Sequence, residues 1–126
     1  MKKVRIFIVD DEEGIREPLS EFLEILGYSV ETAPSPKFCQ ASAGQHPCTK
    51  NEACWDILLV DLNMPFMDGL TFLETRPMRG CKGQQAKTAL ITTHLSPRDE
   101  LRLKAIGCDY LQKPIRFSDI VAWIDS

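Results

Sequence analysis

Five short apolar runs, separated by stretches with helical periodicity, constrain this 126-residue chain more than any other feature. Residues 4–9, 28–32, 57–60, 88–92 and the pair 110–111 read as strands. The run Ile57-Leu58-Leu59-Val60 has no polar alternation, the pattern of a strand covered on both faces. After the first strand, Ile15, Leu19, Phe22, Leu23 and Leu26 fall on one helical face that Gly27 ends, with Pro18 expected near the first turn. A short helix is predicted from 36 to about 43, followed by a polar loop, and another helix from 69 to about 75, offering Leu70, Phe72 and Leu73 to a core. Residues 76–85 read as a loop from their Gly and Pro content. Ser96 and Pro97 look like the cap and first residue of a helix carrying Leu101, Leu103 and Ile106. Ser118 is expected to cap a last helix with Ile120, Val121 and Ile124. Strands alternating with helices predict an α/β fold, a parallel sheet covered on both faces by right-handed crossovers.

Composition narrows the function classes. Fifteen basic against 18 acidic residues give a net charge of -3 with no Lys/Arg stripe, which argues against a nucleic-acid surface. No apolar stretch could span a bilayer, and the short run after "MKK" does not make a signal peptide, so a cytoplasmic location and no membrane contact are expected. The five cysteines contain no C-x-x-C pair and read as free thiols. His46, Cys48 and Cys54, near Cys39, match no metal-ligand spacing and read as loop residues.

Polar residues collect where the strands run out. Asp10-Asp11 end the first, Asp61 the third and Thr92-Thr93 the fourth, while Lys113-Pro114 follows the fifth. In open parallel sheets the ligand site lies at these carboxyl ends. Two charges about 4 Å apart repel by about 4 kcal/mol at an effective dielectric of about 20. Three clustered carboxylates therefore need protons or a cation, and hard oxygens at a crevice mouth suit Mg²⁺. Phosphoryl transfer spreads negative charge over three equatorial oxygens, which Mg²⁺, the Lys113 ammonium and the Thr92 hydroxyl could each meet. Asp61, central in such a crevice, is then the candidate nucleophile.

The segments "FIVDDEE", "ILLVDLNMPFMDGL", "LITTH" and "YLQKPI", in this order and spacing, resemble the receiver domain of two-component response regulators over nearly the whole chain. The resemblance implies a flavodoxin-like (βα)₅ fold with strand order 2-1-3-4-5. It implies that Asp61 is the phosphoacceptor, that Asp10 and Asp11 hold Mg²⁺ with Asp61, and that Asn63 adds its backbone carbonyl. Thr92 would be the switch hydroxyl, Lys113 the phosphate-binding lysine in a cis bond to Pro114, and Tyr110 the aromatic that follows Thr92. A histidine kinase or phosphotransfer protein would supply the phosphoryl group. An output protein would read the surface of the fourth helix, fifth strand and last helix, with the domain a monomer or a phosphorylation-dependent dimer. One receiver domain over residues 1–126, with no output domain in this chain, is expected.

Several positions depart from the family pattern. Thr93 stands where Ala or Gly is usual, which predicts slow phosphotransfer or a long-lived phosphoryl group; the alternative is that Thr93 itself is the switch residue. His94 is a rim position that tunes dephosphorylation in the family. Phe66 replaces a small residue in the loop after Asp61 and is a candidate partner contact. The loop before the fifth strand is one residue short, and residues 37–54 are longer and more polar than usual. The competing readings are a receiver that only binds partners, an aspartyl-phosphate phosphohydrolase and an FMN-binding flavodoxin. Asn63 removes the second acid a D-x-D phosphohydrolase needs, "DDEEG" would repel a flavin phosphate, and the intact central residues argue against the partner-only form.

Overall fold

A computed structural model describes residues 3–39, 48–84 and 86–126. Five parallel strands form one sheet: β1 (Arg5–Val9), β2 (Ser29–Ala33), β3 (Ile57–Asp61), β4 (Lys87–Thr92) and β5 (Asp109–Gln112). The order β2-β1-β3-β4-β5 is the flavodoxin-like one that was expected. The helices are α1 (Glu13–Ile25), α2 (Gly69–Glu74), α3 (Arg76–Arg79), α4 (Pro97–Ile106) and α5 (Phe117–Asp125), and a 3-10 turn spans Pro36–Phe38.

Strand pleating sorts the apolar residues onto two cores. Phe7, Val9, Leu58, Val60 and Leu90 face α2 and α4, packing on Leu70, Phe72, Leu73 and Leu103. Ile6, Ile8, Leu59, Ala89 and Ile91 face the other way, onto Leu19 and Leu23 of α1 and Ile120 and Trp123 of α5. A strand with apolar residues on both pleat faces cannot lie at a solvent surface, and β3 is buried at all five positions.

Some local expectations fail for identifiable reasons. Leu26 is exposed because α1 ends at Ile25 and Leu26 is its C-cap. Leu101 is 69% exposed: two positions from Leu103 is about 200° round the helix, the opposite face. Pro18 lies not in the first turn but sixth in α1, where its ring deprives the carbonyl of exposed Gly14 of the usual i+4 donor. Residues 76–79 form α3 rather than loop, with the buried Arg76 and Arg79 holding it to the body. The last helix is capped at Arg116, whose N–H donates to the Asp119 carboxylate at 3.1 Å, and Ser118 lies inside it. The helix expected from Pro36 is a single 3-10 turn with Cys39 extended; its continuation to 43, and His46, lie outside the described residues. None of the helices described is long and apolar enough to cross a membrane.

Candidate functional site

The carboxyl ends of β1 and β3 adjoin, since Val9 pairs with Val60, so Asp10 and Asp61 leave the sheet side by side. Both are 3% exposed. The Asp10 Oδ1 accepts the Glu12 N–H at 2.8 Å and its backbone carbonyl accepts from Arg16 at 2.7 Å, which fixes the turn into α1. Asp11 and Glu12 are exposed, and Glu12 is the N-cap of α1 without a side-chain capping bond. Its carboxylate turns instead to the crevice.

Lys113 is delivered to the same place by β5. Its N–H donates to the Thr92 carbonyl at 2.9 Å and its bond to Pro114 is cis. The Nζ lies 3.5 Å from Asp10 Oδ2, 3.4 Å from Asp61 Oδ1 and 3.1 Å from Glu12 Oε1. One ammonium thus serves three carboxylates. Burial pulls the Lys113 pKa down, but the Glu12 hydrogen bond and the charges of Asp10 and Asp61 outweigh it and hold the group above its ordinary value. Burial, then the Asp10 charge, pushes the Asp61 carboxyl up to about 6, against the opposing pull of Lys113. Burial likewise raises Asp10.

Oxygens from Asp10, Asp11, Glu12 and Asp61 all lie within 4.8 Å of one another. Mutually repelling carboxylates with a single lysine form an oxygen-only donor set that fits a hard divalent cation such as Mg²⁺. Glu12 was not anticipated from the sequence. Its signal was the unbroken acidic run "DDEE", in which any one member could turn inward.

The loop after Asp61 is clamped back onto the strand. Leu62 N–H donates to the Ile91 carbonyl and Gly69 N–H to the Leu62 carbonyl. A Cβ at Gly69 would lie 2.2 Å from the Asp61 carbonyl oxygen, so only glycine fits this return. Asp68 caps α2 by accepting the Thr71 N–H at 2.7 Å. Asn63 is exposed two residues past Asp61. Phe66 has a positive φ of 75° and is half exposed, with the Lys37 Nζ 5.4 Å from its ring centre.

The other predicted residues divide by burial. Thr92 is buried at the end of β4, and its hydroxyl donates to the His94 carbonyl at 3.2 Å. Thr93 is exposed and lines a cleft with Glu12, Lys113 and Pro114. Tyr110 is half-buried against the core and lines a separate cleft with His94. The structure therefore gathers Asp10, Asp11, Asp61 and Lys113 at one point, with Thr93 at its rim, while Tyr110 and His94 line a second cleft.

Residues 6–125 match the model of the response regulator receiver domain family. The response regulator MprA of Mycobacterium tuberculosis is 33% identical over 121 residues, covering 94% of this chain and 48% of that protein. The regulatory protein AtoC of Escherichia coli is 27% identical over 120 residues, 92% of this chain and 23% of the other. The chain thus spans about half the length of the MprA relatives, and less of AtoC. Among solved structures, the chemotaxis protein CheY4 of Vibrio cholerae is 28% identical with a TM-score of 0.79, covering 98% of both chains. A CheY-like receiver domain protein from Methanospirillum hungatei is 27% identical with a TM-score of 0.79, over 98% of this chain and 92% of that one.

Proposed function

The chain belongs to the response regulator receiver domain family, and from that premise we propose that it is a phosphorylation switch with Asp61 as phosphoacceptor. The observation that carries this is the buried Asp61 carboxylate, at the end of β3, held between the carboxylates of Asp10, Asp11 and Glu12 and the Lys113 ammonium 3.4 Å away.

A histidine kinase or a phosphotransfer protein is the proposed donor. An Asp61 oxygen attacks phosphorus, forming a P–O bond as the P–N bond to the donor's imidazole breaks and the imidazole leaves with a solvent proton. Asp10, Asp11 and Asp61, with the Asn63 carbonyl, would hold Mg²⁺. Bound there, the ion neutralises phosphoryl oxygens and the carboxylates that would otherwise repel them. Lys113 meets another phosphoryl oxygen, as its place between Asp10 and Asp61 allows. The Thr92 hydroxyl leaves the His94 carbonyl for the phosphoryl group, and Tyr110 moves with it. That exchange shifts the α4–β5–α5 surface between two populated arrangements, which an output protein or a second copy reads. Thr93, at the crevice rim, slows both donor approach and hydrolytic water. Thr93→Ala is expected to speed both, and unchanged rates would remove that role.

The test is intact mass after incubation with Mg²⁺ and acetyl phosphate. One phosphoryl group should be gained, and none by Asp61→Asn or in excess chelator. A folded protein that binds Mg²⁺ yet gains no phosphoryl group would make it a partner-binding module instead.

A further inference from the structure

At the amino ends of β3 and β4, away from the acidic crevice, lies a cavity of about 340 Å³. That is within the range of small-ligand sites. Four of the five cysteines line it: Cys39, Cys48, Cys54 and Cys81. Their spacing in sequence carries no motif; the fold alone brings them together. All four are half-buried thiols.

The cavity wall is positive. Lys50, Arg79 and Lys82 line it against Glu52 as the one acid. The Arg79 guanidinium is buried, makes no ion pair among the described residues, and has Nε and Nη2 without an acceptor among them. Its side chain meets the Cys39 sulfur, so its charge reaches the cavity at that thiol. Lys50 lies against the Cys54 sulfur, and that contact holds its pKa above the ordinary value. Cys54 and Lys50 also line an adjoining cavity of about 1020 Å³, so the pair is approachable from two sides. Burial pushes the Cys81 and Cys108 thiols up, which leaves them less thiolate. Reactive thiols occupy positive, partly open surroundings, and Cys54 combines the two.

We propose that Cys54 is a thiol-exchange site for small disulfides that carry carboxylates, with oxidised glutathione as the chemical type. The Cys54 thiolate attacks one sulfur of the disulfide. The protein–ligand S–S bond forms as the original one breaks, and the proton from Cys54 ends on the departing thiol. The Cys54 sulfur is oxidised and the departing sulfur reduced, so no further oxidant is required. Lys50 and Lys82 meet the carboxylates of the incoming molecule, and the other thiols and Trp55 supply the less polar wall.

The experiment treats the full chain with oxidised glutathione or with neutral hydroxyethyl disulfide and maps adducts by peptide mass over time. Cys54 should be modified about tenfold faster than Cys108, which lies outside the cavity. It should react several-fold faster with glutathione disulfide than with the neutral one. That preference should fall with added salt and in Lys50→Met, and Cys54→Ser should abolish the fast phase. Since the rates are read on the unaltered chain first, the test does not depend on a variant folding. Equal modification of all five cysteines, no preference for the anionic disulfide, an internal disulfide as sole product, or no adduct would each overturn the proposal.

Discussion

Two buried groups of charge in this molecule are satisfied in opposite ways. At the carboxyl ends of β1 and β3, Asp10 and Asp61 share one lysine with Glu12 and repel each other. Beneath the end of α2, Arg76 and Arg79 are buried against neutral acceptors. Arg76 donates to the carbonyls of Leu73 at 3.2 Å and Gly83 at 3.4 Å, and Arg79 to the carbonyl of Phe72 at 2.9 Å and to the Thr75 hydroxyl. Cations at the carbonyl end of a helix are favoured by its dipole and occupy acceptors that would lack donors. Arg76 therefore finishes a structure, whereas the carboxylates leave one open for a cation. Charge that folding leaves unbalanced marks the place where a ligand is to act.

Removing one charged member at a time separates the two clusters. Lys113→Met deletes the ammonium shared by three carboxylates and should cost about 3 kcal/mol in chelator, since it strands buried charge. Saturating Mg²⁺ should restore part of this in thermal melts. Arg76→Met should cost about 2 kcal/mol by leaving the Leu73 and Gly83 carbonyls without their donor. That loss should be the same with or without Mg²⁺. If Mg²⁺ rescued both variants equally, the contrast between an open and a finished cluster would fail.

pH sharpens the same contrast. Asp61 has a folded pKa raised to about 6, above its unfolded value, so the folded state binds more protons between the two. Stability in chelator should rise as pH falls from 7 through 6 toward 4, and the slope should diminish in Asp61→Asn. Mg²⁺ should flatten it as well, whereas Arg76→Met should leave it unchanged. The smallest effect is expected at the tie between α2 and α4. Arg102 donates to Glu74 and pairs with Asp99 at 3.0 Å, all partly exposed. Arg102→Gln should cost under about 1 kcal/mol, and less in high salt.

How much of this was legible in sequence follows from the same distinction. Asp61 is visible because a carboxylate ends an apolar run, and the parallel sheet follows from strands and helices in alternation, whereas the strand order came only from the family resemblance. Lys113 could be placed because Pro114 follows it beyond the fifth strand. The arginines were invisible: "RPMRG" has the content of a loop, and only tertiary contact makes α3 a helix with buried charge. Trp123, whose Nε1 donates to Asp109 at 2.8 Å, packs in the core without having been singled out by helical period. The four-cysteine cavity was equally unreadable, since its residues come from segments that meet only in the fold.

The most direct test of the central claim is to find where the phosphoryl group resides. After treatment with acetyl phosphate and Mg²⁺, borohydride reduces an aspartyl phosphate to homoserine, which peptide mapping locates. Homoserine is expected at position 61, dependent on Mg²⁺, with Asp10 and Asp11 unmodified. Homoserine at position 10 or 11, or incorporation at 61 that does not need a divalent cation, would contradict that claim.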